Sequence, residues 1–432
     1  MAEAKTLERA LGLPTLTFYG VGIILGAGIY SVIGVAAGPA QNALWLSFLI
    51  SAVVAFLTAL SYAELATAYP QASAEFAYVR RAFPQWPGAA LVIGLVVALS
   101  GAATAATVAI AFGGYLRELL DIHPMLSAAG LIVLATVVNL VGVKEAAWVN
   151  VAFTLIEVGG LVGFTILGAS SERFGEAILH APPAGVVAGA ALVFFSFLGF
   201  ENIANLAEEA KNPKRDLPRA IFLSLIIASV LYVLVALAAL ALLSPTELSQ
   251  SEAPLSAAVR GKAKWMAGAL GGVALFATAN TALVSILGAS RVLFGIARER
   301  ELPESIAAIS RRKTPWLAIL TVAGVSALLL PFGSVGVVAS VSSFASLSAF
   351  TAVNVALIVL RFREPTRERP FRIPGSIGRF VVLPAIAAAA TVGVATQLPP
   401  TALITGAITT LAFGVYAFAH HKIRAAKSVG NR

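Results

Sequence analysis

The chain has 432 residues, of which 59% are hydrophobic and 12% charged, and its formal net charge is +9. Its mean hydropathy is +0.89. Soluble globular proteins carry about 25% charged residues and about 45–50% apolar ones, so an ordinary soluble enzyme, a disordered chain and a dedicated nucleic-acid binder are excluded. The composition predicts an all-α polytopic membrane protein. Cysteine is absent, which excludes thiolate nucleophiles, thiolate metal sites and any disulfide-linked subunit.

Charge is missing in blocks. Residues 10–63, 82–116, 122–143, 177–200, 220–246, 265–290, 314–360 and 380–421 contain no Asp, Glu, Lys or Arg. A spanning helix needs about 20 residues, so several blocks are long enough for two crossings. The first nine residues, with Lys5 and Arg9, do not form the basic start of a signal peptide, and no processed leader is expected. From there, apolar runs punctuated by Pro, Gly and charge predict twelve spans in chain order. They lie near 15–38, 43–67, 87–116, 125–142, 147–170, 184–205, 218–243, 264–296, 316–333, 336–360, 379–397 and 401–420. The pairs divided by Pro331–Gly336 and by Pro399–Pro400 are the closest, yet either one taken as a single helix is far too long for one crossing.

With both termini on one side, 25 of the 30 Lys and Arg residues fall on that side. The positive-inside rule then predicts cytoplasmic N- and C-termini and a multi-pass protein of the cell membrane. The basic balance therefore reads as topology, with membrane lipids as partners, and not as affinity for nucleic acid.

The first and sixth spans are unusual. The first contains GVGIILGAGIY at 20–30, and the sixth reads FFSFLGFENIANLAEEAKNP from 194, with Gly199 at mid-span and Glu201 just beyond it. Glycine inside a helix is costly, and interrupted helices in corresponding positions point to an inverted-repeat transporter. The expected organisation is a cytoplasmic N-terminus (1–14), a first repeat (15–170) and a second repeat (184–361). An accessory helix pair (379–420) and a cytoplasmic tail (421–432) follow.

Unwinding a helix in a membrane exposes backbone groups that are costly if unpaired. The N–H groups of Gly26, Ala27, Gly28 and Ile29, at the start of a half-helix, suit an anion. The carbonyls near Ile23 and around Phe194, Phe195 and Phe197 suit an ammonium. Such a site is made for a zwitterion, with an amino acid as the natural cargo. No cofactor, metal site or catalytic residue is expected: the four histidines fall in loops or the tail, and no phosphate-loop lysine accompanies the glycines.

Several stretches carry a family likeness: GVGIILGAGIY at 20–30, SYAELATAYPQASAEFAYVRRAFP at 61–84, NLVGVKEAAWVN at 139–150, FFSFLGFENIANLAEEAKNPKRDLPRAI at 194–221, SRVLFGIARERELP at 290–303 and RPFRIPG at 369–375. By these the chain resembles the amino acid–polyamine–organocation transporter superfamily over nearly its whole length. The resemblance implies the five-plus-five inverted-repeat fold with discontinuous helices 1 and 6. It also implies secondary active transport of amino acids, proton-coupled or exchanging, with polyamines or other organic amines as the alternative cargo.

The resemblance also implies individual roles. Phe195 matches an aromatic gate, and Ala102, Ala103 and Ala106 match pocket-facing positions of the third helix. Asn280 and Thr281 are polar neighbours from the eighth. Where relatives commonly have Gly-Gly before an acidic residue after the second helix, Ser73 and Ala74 precede Glu75. Glu157 stands where several proton-coupled relatives have a lysine. Because burial favours the neutral form of a carboxylate, three roles stay open for it: exchanging a proton, holding a cation or substrate amine, or staying protonated as a structural group. Glu201 is the second coupling candidate, placed to bridge the halves of the sixth helix through backbone N–H bonds.

Overall fold

The computed structural model describes residues 11–70, 74–141, 147–175, 185–205, 210–312 and 314–430. Lys5, Arg9, Ser73 and the acidic pair Glu208–Glu209 lie outside the described residues. Helix dominates, because in lipid a helix satisfies every backbone N–H and C=O within one segment. The helices are α1 (Leu13–Leu25), α2 (Gly28–Ala40), α3 (Leu44–Ala68), α4 (Ala74–Ala82), α5 (Pro87–Leu120), α6 (Pro124–Val141), α7 (Ala147–Ala169), α8 (Val186–Val193) and α9 (Phe200–Asn205). There follow α10 (Pro213–Leu242), α11 (Pro245–Gln250), α12 (Pro254–Arg260), α13 (Lys264–Arg298), α14 (Trp316–Leu329), α15 (Val335–Arg363), α16 (Val382–Ala395) and α17 (Pro400–Gly430). Among the described residues the sheet is one hairpin, Ser376–Ile377 paired with Phe380–Val381.

Eight helical stretches among the described residues are long and apolar enough to cross a membrane. One of them, Leu13–Ala68, runs for 56 residues. Three shorter apolar helices, Thr154–Ala169, Trp316–Phe332 and Val382–Ala395, accompany them. The protein is therefore an all-α polytopic membrane protein. The pairs flanking Pro331–Gly336 and Pro399–Pro400 are separate helices.

The helices pack in two groups. In one, α1, α3, α8 and α10 lie together; in the other, α5 runs through the middle of α6, α13, α14 and α15. Small residues permit the close approaches that packing in a membrane requires. A methyl added at Gly101 of α5 would lie 2.7 Å from Ala289 of α13, and one at Gly168 of α7 would lie 2.3 Å from Ala238 of α10.

Between the groups, α3 and α15 share a polar seam. Ser61 donates to Asn354 Oδ1 at 2.5 Å, and Asn354 Nδ2 donates to Thr58 at 3.2 Å. Two turns beyond Asn354, Arg361 donates through Nε at 2.6 Å and Nη2 at 2.5 Å to the fully buried Glu64 of α3. Arg369 Nε lies 3.0 Å from the same carboxylate, and the Ile373 N–H donates to it at 2.9 Å. One carboxylate thus clamps the connection after α15 onto the end of α3. Nearby, Glu364 accepts from Tyr69 and Arg81, both at 2.8 Å. Partial burial opposes its charge, but those two bonds hold its carboxyl below the ordinary carboxylate value.

Candidate functional site

The first helix is interrupted where its glycines cluster. Helix α1 ends at Leu25, and Gly26, at φ 2° and ψ −136°, turns the chain out of helical geometry. Its N–H still bonds Gly22 O at 3.0 Å, while the Ala27 N–H donates to Thr281 Oγ1 of α13 at 3.1 Å. The bond from Ser31 N–H to Ala27 O, at 2.9 Å, is the first of α2. The N–H groups of Gly28, Ile29 and Tyr30 therefore come before the helical ladder and face outward at the positive end of the half-helix. Of the four donors expected from the sequence, Gly26 and Ala27 are engaged within the protein, and Gly28 and Ile29 precede the first bond of α2.

The second interruption follows α8. A short 3-10 turn spans Phe194–Phe197, Leu198 is extended, and Gly199 sits at φ +123°, a conformation that demands glycine. Glu201 Oε2 accepts the Gly199 N–H at 2.8 Å, so this half-buried carboxylate caps the start of α9.

The two interruptions touch. A Cβ on Gly28 would lie 2.6 Å from Ser196 Cα, and one on Gly199 would lie 3.3 Å from the Ile23 carbonyl oxygen. Tyr232 of α10, fully buried, places its hydroxyl against both breaks, 2.9 Å from Ser196 O and closer still to Ile24 O. A hydroxyl has one proton to give, so these carbonyls share a donor and keep acceptor capacity. The Ser196 hydroxyl is itself buried without a partner.

The aromatic side chains of the turn divide. Phe197 packs on Tyr232 at 5.2 Å and Phe48 at 6.5 Å, and Phe194 on Phe350 at 6.1 Å. Phe195 is buried as well, at 3% exposure. Ala102 and Ala103 are buried in α5, where Ala102 O accepts from Ser326 of α14 and the flanking Ser100 and Thr104 bond to Ser346 and Ser342 of α15. That turn is thus bound to the second helix group. Asn280 is half-buried, and it is the adjacent Thr281 that bonds the first break.

Glu157 is 2% exposed, and neither carboxylate oxygen has a hydrogen-bond partner. One turn before it, Thr154 Oγ1 reaches Phe18 O of α1 at 3.5 Å; one turn after it, Gly160 abuts Val273 of α13. The acid therefore sits where α7 meets α1 and α13, within electrostatic reach of Tyr30 and Tyr232. A buried polar group with no partner is rare and calls for a reason. Among the described residues no cluster of His, Cys, Asp and Glu is arranged to hold a metal ion.

Sequence reasoning missed Tyr232 and Ser196. A lone tyrosine in the uncharged run 220–246 was the available signal, but periodicity cannot say which helix its hydroxyl meets. A cavity of about 750 Å³ is lined by residues of α5, α12 and α13, including Tyr115, Glu118 and Arg260. Tyr115 on its wall donates to Tyr30 O at 3.2 Å, linking that end of the molecule to α2.

Interrupted helices that touch at their breaks, in a polytopic helical protein, are an arrangement that permease-type carriers use. The sequence model of the amino acid permease family matches residues 11–417, and the chain belongs to that family. It is 30% identical over 396 residues to a branched-chain amino acid permease of Bacillus subtilis, covering 86% of this chain and 85% of that one. It is 32% identical over 403 residues to mitochondrial cationic amino acid transporter 3 of Arabidopsis thaliana, covering 86% and 65%. A methylthioribose transporter of Bacillus subtilis is 29% identical over 405 residues, covering 86% of each.

Proposed function

We propose that the protein carries a zwitterionic amino acid across the cell membrane, with the substrate bound where the two interrupted helices meet. The contact between the two breaks carries this reading: free N–H groups at Gly28 and Ile29 lie beside carbonyls that share the Tyr232 proton. The carboxylate docks on the former and the ammonium on the carbonyls of Ile23 and the 194–197 turn, with Phe195 closing over the cargo. Ala102, Ala103 and Asn280 shape the side-chain end of the pocket.

The topology in this reading has twelve crossings and cytoplasmic termini. At about 1.5 Å per residue, a straight helix of the length of Leu13–Ala68 would be nearly three times the ~30 Å bilayer core. Two crossings in that stretch, and one for each shorter apolar helix, are what this arithmetic supports. Each break then falls in the first helix of its repeat, residues 15–170 and 184–361, and the halves rock about the site.

Glu157 is the coupling residue, exchanging a proton between the two orientations. A second reading, with an organic amine or cationic amino acid as cargo, draws on the same observation: a buried carboxylate without a partner suits a second positive charge. Uptake into proteoliposomes under an imposed pH gradient, with labelled neutral and cationic amino acids and their decarboxylated amines, tests both. Glu157→Gln should abolish gradient-driven accumulation and leave equilibrium exchange. Unchanged accumulation removes the proton role, and strong competition by decarboxylated amines favours the second reading.

A further inference from the structure

We infer that Glu75 is a positioning residue that holds shut an aromatic plug between the helix breaks and the face of the protein that carries α4. The inference rests on the proposed binding site, and it adds what separates that site from one side of the membrane.

Four rings run in contact from the second break to α4. Phe194, in the 3-10 turn, meets Phe350 of α15 at 6.1 Å; Phe350 meets Phe200 of α9 at 5.2 Å; and Phe200 meets Tyr62 of α3 edge-on at 5.6 Å. Tyr62 also meets Phe350 at 5.6 Å, which closes the cluster. All four are 2% exposed or less. At the end of the row the Tyr62 hydroxyl donates to Glu75 Oε1 at 3.0 Å, and Glu75 is itself 3% exposed.

The position of α4 gives this bond its consequence. Helix α4 lies on α5 and α15 of the second helix group. It is tied there by Arg80 to Glu299 at 2.7 Å, Arg81 to Glu364 at 2.8 Å, and Arg363 to Ala82 O at 2.9 Å. Tyr62 belongs to α3 of the first group. The Tyr62–Glu75 bond thus crosses the same boundary as the Ser61–Asn354 and Glu64–Arg361 contacts, and of these it is the one made by a ring of the cluster. Among the described residues Glu75 has no cation against it; Tyr62, Tyr78 and Glu201 are the titratable groups within its electrostatic reach. An acceptor, not a charge, is what the plug requires, and a glutamine supplies one.

The absence of cysteine makes the test direct. Ser196→Cys places a thiol behind the plug, and a membrane-impermeant methanethiosulfonate is applied to vesicles of either orientation. Adding Tyr62→Phe or Glu75→Ala should speed labelling from the α4 face by roughly tenfold, the population shift expected from loss of one buried hydrogen bond. Glu75→Gln should label at the parent rate, and labelling from the opposite face should not rise in any variant. Equal rates in all four proteins, or equal acceleration by Gln and Ala at position 75, overturns the plug. Tyr62→Phe removes a single oxygen, so it reports even if Glu75→Ala folds poorly. Equilibrium amino acid binding by the unsubstituted protein, with Ser196 intact, judges the binding site separately: no binding there defeats the transport reading, whereas the labelling rates still decide the plug.

Discussion

Glu64→Gln leaves the Arg361 guanidinium, at 4% side-chain exposure, without its ion-pair partner, and Arg369, at 5%, with only the more distant Glu364. Removing one partner of a buried ion pair costs about 3–5 kcal/mol, because the charge left behind has neither water nor a partner. The chain contains its own control. Arg117 and Glu252 also pair, at 3.2 Å, but are 54% and 52% exposed, and pairs of that kind contribute about 0–1 kcal/mol. Reversible chemical unfolding in one detergent, followed by tryptophan fluorescence, should therefore show Glu64→Gln to be destabilised several-fold more than Glu252→Gln. In the double variant Glu64→Gln/Arg361→Gln one stranded charge is gone, so its loss should fall short of the summed single losses by about 0.5–3 kcal/mol. If Glu64→Gln costs no more than Glu252→Gln, the clamp on the α15 connection carries no stability and burial is the wrong measure of its worth.

Gly28→Ala sets a methyl 2.6 Å from Ser196 Cα, which is backbone and cannot swing aside; overpacking of about 1–3 kcal/mol should weaken amino acid binding about tenfold in a scintillation proximity assay. Gly130→Ala, with nothing within 4 Å, should bind as the parent does. Tyr232→Phe strips the shared proton from the Ile24 and Ser196 carbonyls and should cost about 1–3 kcal/mol of stability, partly restored by saturating substrate; a thermal shift series with and without amino acid measures both. Burial pushes the Glu75 carboxyl above its ordinary value, so the folded protein holds that proton more tightly than the unfolded chain. The resulting stabilisation is full below the ordinary carboxylate range and is lost as pH rises through it toward the raised value. Glu75→Gln has no such loss, and its thermal midpoint relative to wild type should climb as pH rises above the ordinary carboxylate value of about 4.3; parallel profiles would refute the sign.

The interruptions were legible because they break a local rule. Glycine is costly inside a helix, and at Gly199 the backbone adopts a φ of +123° that no other residue tolerates well. The spans were legible for a similar reason, since lipid forbids charge over long stretches. Partnerships across the chain were not legible. Glu64 and Arg361 are 297 positions apart, and Tyr232 and Ile24 are 208 apart; neither composition nor periodicity carries that information. Counting basic residues to orient the chain treated Arg361 and Arg369 as markers of the cytoplasmic face, whereas both are buried counter-ions of Glu64. The RPFRIPG stretch spoke only through resemblance, and its physical content, a loop held by one carboxylate of α3, emerged when the fold brought the two together.

The same distinction sorts the acids set within the protein. Glu64 is matched by two arginines, Glu75 by the Tyr62 hydroxyl, Glu201 by the Gly199 N–H, and Glu301 by the neighbouring Arg424. Each of these has a partner that accounts for its place. Glu157 has none: at 2% exposure both oxygens face the junction of α1, α7 and α13 without a donor. An orphaned carboxylate is a standing cost to the fold, and such a cost persists where the group is used by something that comes and goes. A proton does so in the transport reading, and a substrate amine does so in the alternative. Because Glu157→Gln keeps the shape and removes the charge, it separates those two visitors: loss of accumulation with binding intact identifies the proton, and loss of binding itself identifies the amine.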